Sequence, residues 1–279
     1  MTIPHSWTHT TPGPFQGPWP LVMGIVNVTP DSFSDGGQHQ GEAALAHALK
    51  LVEDGADILD IGGESTRPGA QPVPASEEIT RTVPLIRALR QKGISVPISI
   101  DTMKSEVAEA ALDAGAEIVN DVTAGSDPAM FRLCARHKCV LILMHMQGTP
   151  RTMQQAPQYT DVVGEVRDYL ARRVRAAEDA GCARESLWID PGFGFGKLPA
   201  HNLELLRRLP EFAVLGRPLV LGVSRKSTLG QLTGRPVDDR EPESLTAGLI
   251  GALHGASVLR VHEVGWMRRA LVVARAMRH

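Results

Sequence analysis

The chain contains no run of about eighteen apolar residues, so no transmembrane helix is expected. It has no basic excess: Lys and Arg total 29 against 31 Asp and Glu, for a net charge of -2. That balance argues against a nucleic-acid or membrane-surface partner. Cysteine is scarce, and Cys134, Cys139 and Cys182 form no Cys-x-x-Cys pair. An odd, scattered set argues against a disulfide framework or a zinc site and suits reduced thiols in a cytoplasmic protein. The first twenty residues lack a basic start and an apolar stretch, so they do not read as a secretory signal. They carry Pro4, Pro12, Pro14, Pro18 and Pro20 instead, and are expected to form a flexible extension over 1–20 ahead of one domain over 21–279.

What the chain does have is a series of short apolar runs, each ending in a polar residue. The runs are Leu21 to Val26, Ala56 to Leu59, Val96 to Ile100, Glu117 to Val119, Cys139 to Met144, Leu187 to Ile189, Leu219 to Val223 and Ser257 to Leu259. At or just beyond their ends stand Asn27, Asp60, Asp101, Asn120, His145, Asp190, Ser224 and Arg260. The runs do not alternate, which fits strands buried on both faces. Helical spacing fills the gaps, as with Ala43, Leu45, Ala46, Leu49 and Val52, and with Val107, Ala110, Ala111 and Ala114. Asp127-Pro128 and Glu241-Pro242 read as helix starts, and Asp54-Gly55-Ala56 and Asp113-Ala114-Gly115-Ala116 as helix exits. The expected fold is α/β, a single-domain barrel of eight strand-helix units, with an open doubly wound sheet as the rival. In the barrel all the polar ends share one rim, where such folds keep their chemistry.

Three connections stand out: Val28 to Gly37, Gly62 to Ala70, and Asp190 to Lys197. The first two combine glycine, proline and hydroxyls, as expected of loops that fold over a ligand. The third is not a phosphate loop, because Pro191 and Leu198 break the Walker pattern and Lys197 replaces the last glycine of the dinucleotide pattern. Its glycines are expected to let the backbone and Phe195 approach a flat ligand. Ser224-Arg225-Lys226-Ser227 and Arg260-Val261-His262 put basic groups after the last two strands, the usual anion site of a barrel. Asp101, Asn120 and Asp190 offer acceptors suited to the adjacent N–H groups of an amino-pyrimidinone. The rim therefore reads as a heterocycle pocket beside a phosphate pocket. His145 is expected to be a hydrogen-bonded structural residue. Asn27-Val28-Thr29 matches a glycosylation triplet, but in a buried strand of a chain without a signal it is set aside.

Taken in order, several segments resemble the signatures of the dihydropteroate synthase family. They are Met23 to Gly37, Gly63 to Ala70, Ile100-Asp101-Thr102, Asn120-Asp121-Val122, Asp190 to Lys197, Ser224 to Ser227 and Arg260-Val261-His262, spanning about residues 21–263. Glu263 stands where members of that family often carry aspartate. The resemblance implies a pterin-binding barrel that joins a dihydropterin pyrophosphate to p-aminobenzoate, with Mg²⁺ as cofactor and a homodimeric assembly. It implies a pterin pocket of Asp101, Asn120, Met144, Asp190, Gly194, Phe195 and Lys226. Pyrophosphate falls to Asn27, Thr66, Arg260 and His262, with Asn27 on the metal. The p-aminobenzoate side falls to Phe33, Thr66, Arg67, Pro68 and Ser227, and the catalytic set to Asp101, Lys226, Arg260 and His262. Two other activities remain open: a corrinoid-dependent methyltransferase on a related barrel, and a pterin sensor without turnover.

Overall fold

In the computed structural model the described residues are 20–28, 38–66 and 69–277. Eight strands alternate with helices along them. The strands are β1 (Leu21–Asn27), β2 (Ile58–Gly62), β3 (Ile98–Asp101), β4 (Ile118–Asp121), β5 (Val140–Met144), β6 (Leu187–Asp190), β7 (Val220–Leu221) and β8 (Val258–Val261). The helices are α1 (Gln38–Glu53), α2 (Ala75–Gln91), α3 (Ser105–Asp113), α4 (Met130–His137), α5 (Val162–Asp179), α6 (Pro199–Arg207), α7 (Ser227–Thr233), α8 (Glu241–Leu253) and α9 (Val264–Ala276). The sheet runs β6-β5-β4-β3-β2-β1-β8-β7, and every ladder in it is parallel. The first and last strands are therefore neighbours. A parallel bridge between Ile189 and Leu219, with Ile189 N–H donating to Pro218 O at 3.0 Å, joins the two ends. That bridge makes the sheet a barrel and removes the open-sheet alternative.

Successive side chains on a strand face opposite sides, and here they sort into two apolar clusters. Leu21, Met23, Ile58, Ile118, Val140, Ile142, Trp188, Val220 and Val258 form the smaller one, inside the barrel. Val22, Val26, Leu59, Ile61, Ile98 and Ile100 belong to the larger one, between strands and helices. Two residues beyond the interior set stand Asp60, Asn120, Met144, Asp190 and Arg260, which the same parity turns inward. Asp101 joins them, since its neighbours Ile98 and Ile100 face the helices. The barrel thus has an apolar plug below and a polar layer above.

This corrects the strand limits expected from the apolar runs. β2 continues through Asp60 to Gly62, and β8 through Arg260 to Val261. An apolar run stops at its first polar residue, whereas the hydrogen-bond ladder continues as long as a neighbour is paired. The helix faces are also shifted. On α1 the residues in closest contact are Ala44, Ala48 and Leu51, while Ala46 is exposed and Leu45, Leu49 and Val52 flank the contact. On α3 they are Val107, Ala108, Ala111 and Leu112. Alanines take part of each contact line, Ala44 and Ala48 on α1 and Ala108 and Ala111 on α3.

Asp127 does not cap the helix that follows it, since Ala129 precedes α4 without a side-chain cap bond. It accepts from Ala129 N–H at 2.9 Å in the turn before that helix and, across the fold, from Ser105 N–H at the start of α3 at 2.8 Å. Glu241 does not cap. It lies inside α8, and Arg240 takes the position before it. Cys134, Cys139 and Cys182 are buried free thiols. Among the described residues no helix is long and apolar enough to cross a membrane.

The shifted face of α1 makes a direct prediction. Ala48→Leu overpacks the layer and lowers unfolding free energy by about 1–3 kcal/mol. Ala46→Leu, on the exposed side, stays within about 0.5 kcal/mol of the parent in the same urea titration.

Candidate active site

The polar layer is held by one arginine. Arg260 donates from Nε to Asp60 Oδ2 at 2.6 Å and from Nη2 to Asp101 Oδ2 at 2.7 Å. Asn120 Nδ2 donates to the same Asp60 oxygen at 3.3 Å. A carboxylate can only accept, so Asp60 turns the Asn120 amide nitrogen toward itself and leaves Asn120 Oδ1 for another donor. Strand register sets these groups at one height: Gly62 is opposite Asp101, Asp101 opposite Asn120, and Met144 opposite Asp190. Asn27 ends β1 opposite Gly62, half-buried.

Burial makes this layer a strong acceptor surface. Asp60 Oδ1 and Asp101 Oδ1 are buried without a hydrogen-bond partner, and such groups are expensive to leave unmatched. Burial pushes the Asp101 carboxyl up to about 7, with Arg260 opposing and Asp60 adding to the rise. Asp190 is pushed up to about 6 by burial, against the Gly192 N–H that bonds its Oδ1 at 2.7 Å. The arrangement suits a flat ligand that brings several N–H donors.

The loop after β6 and the turn before α7 meet over this layer. Lys226 Nζ lies 3.8 Å from the centroid of the Phe195 ring, a cation–π contact. Gly194 sits beneath it, where a Cβ would approach Lys226 Cδ to 3.0 Å. The glycines of this loop also answer a need within the protein itself. Gly192 has φ 69°, and a Cβ there would stand 1.8 Å from His145 O; Gly196 has φ 62°, and its Cβ would stand 2.5 Å from Gln147 O. Close packing against the protein's own β5 loop therefore requires them, whatever the ligand.

Of the basic residues after β7 and β8, Arg225 turns to partners of its own. Arg225, with φ 58°, points to Glu263 Oε1 at 2.7 Å and to Glu241 Oε2 at 3.5 Å, and its N–H bonds Ser244 Oγ at 2.9 Å. Glu263 therefore serves Arg225, whereas His262 Nδ1 lies 2.9 Å from Ser224 Oγ. Arg260 is turned into the acidic pair, and Lys226 over Phe195. Ser227, the first residue of α7, is exposed. Thr66 is half-buried near a loop root held by Arg81 on Gly63 O at 2.7 Å and by Lys104 on Glu64 and Glu78. Phe33, Arg67 and Pro68 lie outside the described residues. His145 is structural as expected, its Nδ1 meeting Lys197 Nζ at 2.9 Å.

Asp60 is the residue the expected set lacks. Its signal was a carboxylate inside Ile58-Leu59-Asp60-Ile61, two residues after an interior apolar side chain. Among the described residues no three His, Cys, Asp or Glu side chains converge as a metal centre. Asn27, level with the unpartnered oxygen of Asp101, offers a hard oxygen donor of the kind magnesium takes alongside water and phosphate.

Residues 23–262 match the pterin binding enzyme family. A dihydropteroate synthase of Escherichia coli K12 is 46% identical over 258 residues, covering 92% of this chain and 91% of its own. The chain belongs to the dihydropteroate synthase family. The structure of the Xanthomonas albilineans dihydropteroate synthase with 4-aminobenzoic acid superposes with a TM-score of 0.88 at 50% identity, covering 93% of each chain. The same enzyme with 7,8-dihydropteroate gives 0.85 at 48%, covering 93% and 94%. As a dihydropteroate synthase family member, the chain is a transferase on a pterin-binding barrel.

For the polar layer, Asp60→Ala leaves a buried guanidinium with one carboxylate instead of two. It is expected to destabilise the fold by on the order of 3 kcal/mol in chemical denaturation. A change under about 0.5 kcal/mol contradicts the placement of Asp60 at the centre of the network.

Proposed function

We propose that this mouth joins 6-hydroxymethyl-7,8-dihydropterin pyrophosphate to p-aminobenzoate by a dissociative route, releasing pyrophosphate and giving the 7,8-dihydropteroate of folate synthesis. Membership of the dihydropteroate synthase family supports the reaction. The observation that carries the pterin assignment is the buried acceptor layer, with unpartnered oxygens on Asp60 and Asp101.

Asp190 accepts from the 2-amino and N3–H edge, and Asn120 and Asp101 meet the remaining ring nitrogens. Lys226 serves the carbonyl oxygen and N5, while Met144 and Phe195 line the ring. Asn27, Thr66, His262 and the N–H groups of Arg260 not given to Asp60 and Asp101 hold the pyrophosphate. Ser227, Phe33, Thr66, Arg67 and Pro68 form the p-aminobenzoate side. Magnesium, held by Asn27 and mostly water and phosphate oxygens, would neutralise leaving-group charge.

The methylene C–O bond breaks first, its electron pair departing on pyrophosphate. The positive charge left behind spreads over the pterin, and Asp101 as carboxylate stabilises it electrostatically. The aniline nitrogen then attacks the methylene carbon with its lone pair, and the resulting ammonium gives its proton to the departing pyrophosphate or to water. An arylamine is nucleophilic unaided, so neither a general base nor an activated Ser or Cys is needed. Exclusion of water from the mouth protects the cation from hydrolysis.

Pyrophosphate release on mixing the protein, Mg²⁺ and both substrates is the primary test, and its absence overturns the reading. The pH profile tests the role of Asp101. Its ionised form acts, and burial raises it to about 7, so turnover falls as pH drops through that value. Asp101→Asn removes this limb and slows turnover by about 10²-fold or more. Full turnover in that variant contradicts the cation scheme.

For assembly we infer a homodimer built on barrel helices away from the loops. Trp266 and Val273 on α9 and Met277 just past its end are exposed to 54%, 60% and 83%, apolar surface of the kind partners cover. Light scattering is expected to give twice 30.1 kDa, and Trp266→Glu to give the monomer. A parent monomer refutes the assembly. Buried free thiols support placement in the reducing cytoplasm.

A further inference from the structure

Lys197 ends the glycine-rich loop after β6, where a phosphate-binding lysine would reach outward. Its side chain instead turns inward, and the residue is 2% exposed. Nζ is 2.9 Å from each of Gly192 O, Phe195 O and His145 Nδ1. An ammonium has three donors, which match these three close acceptors, and His145 O stands farther off at 3.4 Å. None of them is an anion. Burial, followed by the neighbouring Lys197, pushes His145 down to about 2. Its ring is therefore neutral, with the proton on Nε2 and a lone pair on Nδ1 facing the ammonium.

Such a cation is costly. Burial lowers Lys197 to about 7, with Asp190 opposing and Lys226 reinforcing the shift. An apolar side chain of similar length would fill the same space without that penalty. What the ammonium supplies is a tether between segments that carry the site. Gly192 bonds Asp190 through its N–H, and Phe195 carries the ring under Lys226. The remaining turns are pinned separately, Gly194 N–H by Asn202 Oδ1 at 2.8 Å and Gly196 O by Tyr159 at 2.8 Å. His145 follows β5 directly after Met144, so the tether also joins two neighbouring strand ends.

We infer that Lys197 is a positioning residue for pterin recognition, its three-way tether holding the Asp190 edge and the Phe195 face at the spacing one flat ring requires. The inference rests on the reading that Asp190 and Phe195 contact the pterin. It gives the last residue of the loop a function in affinity, although the side chain touches no ligand.

Lys197→Met keeps the bulk and removes the donors. In the full-length enzyme, the Kd for 6-hydroxymethylpterin by calorimetry and the KM for the pterin substrate rise about tenfold, as expected for lost hydrogen bonds to a charged group. The KM for p-aminobenzoate and kcat stay within about twofold of the parent. A folded variant with unchanged pterin affinity overturns the inference, as does a loss shared equally by both substrates. Should Lys197→Met fail to fold, His145→Leu removes one acceptor and is expected to weaken pterin binding about threefold, again without moving p-aminobenzoate. Unchanged pterin affinity there overturns it equally. Asp190→Ala separates the two levels. If it spares pterin affinity, the pocket reading fails; if it abolishes affinity while Lys197→Met does nothing, only the tether fails.

Discussion

One guanidinium organises the mouth of this barrel. Arg260 on β8 reaches Asp60 on β2 and Asp101 on β3, and strands so far apart in sequence are close only because β1 pairs with both β2 and β8. Without that charge, two buried carboxylates above an apolar plug would face one another uncompensated. With it, each keeps one oxygen bonded and one open. The acceptor surface proposed for the pterin edge is thus a by-product of how the interior charge is balanced.

The same balance imposes a conflict of roles. An arginine tied to two carboxylates is a poorer phosphate ligand than its position after the last strand suggests. Arg225 is similarly committed to Glu263 and Glu241. Strand-end basic residues are therefore not interchangeable: some first neutralise the protein's own acids or fix turns, and meet a leaving group only with the donors left over. The glycine-rich loop repeats the lesson. Its glycines fit against His145 and Gln147, and its lysine bonds its own backbone.

Much of this was legible in the chain. The apolar runs located all eight strands, and five of the polar residues at their ends, Asp60, Asp101, Asn120, Asp190 and Arg260, proved to belong to the interior upper layer, because parity continues through a strand even when hydrophobicity stops. Asp101, Asn120, Met144 and Asp190 assemble as expected for that reason. Asp60 was not legible as a site residue, since its importance lies in Arg260, two hundred positions away in the chain. The α1 contact line was misjudged because hydrophobic spacing marks the broad apolar side of a helix, while the closest contact runs through Ala44, Ala48 and Leu51. Arg225 could not be told from Lys226 by charge alone; its φ of 58° turns consecutive side chains to different neighbours.

The central claim is that the interior carboxylates and Asn120 present a matched row of acceptors to one flat ring. A high-resolution crystal structure with 6-hydroxymethylpterin tests it most directly. The account predicts both N–H groups of the amino-pyrimidinone edge on the Asp190 carboxylate, Asn120 Oδ1 facing the ring, and Arg260 still bridging Asp60 and Asp101. A pterin seated elsewhere, or Asn120 turned so that its nitrogen faces the ligand while Asp60 lacks a partner, contradicts it.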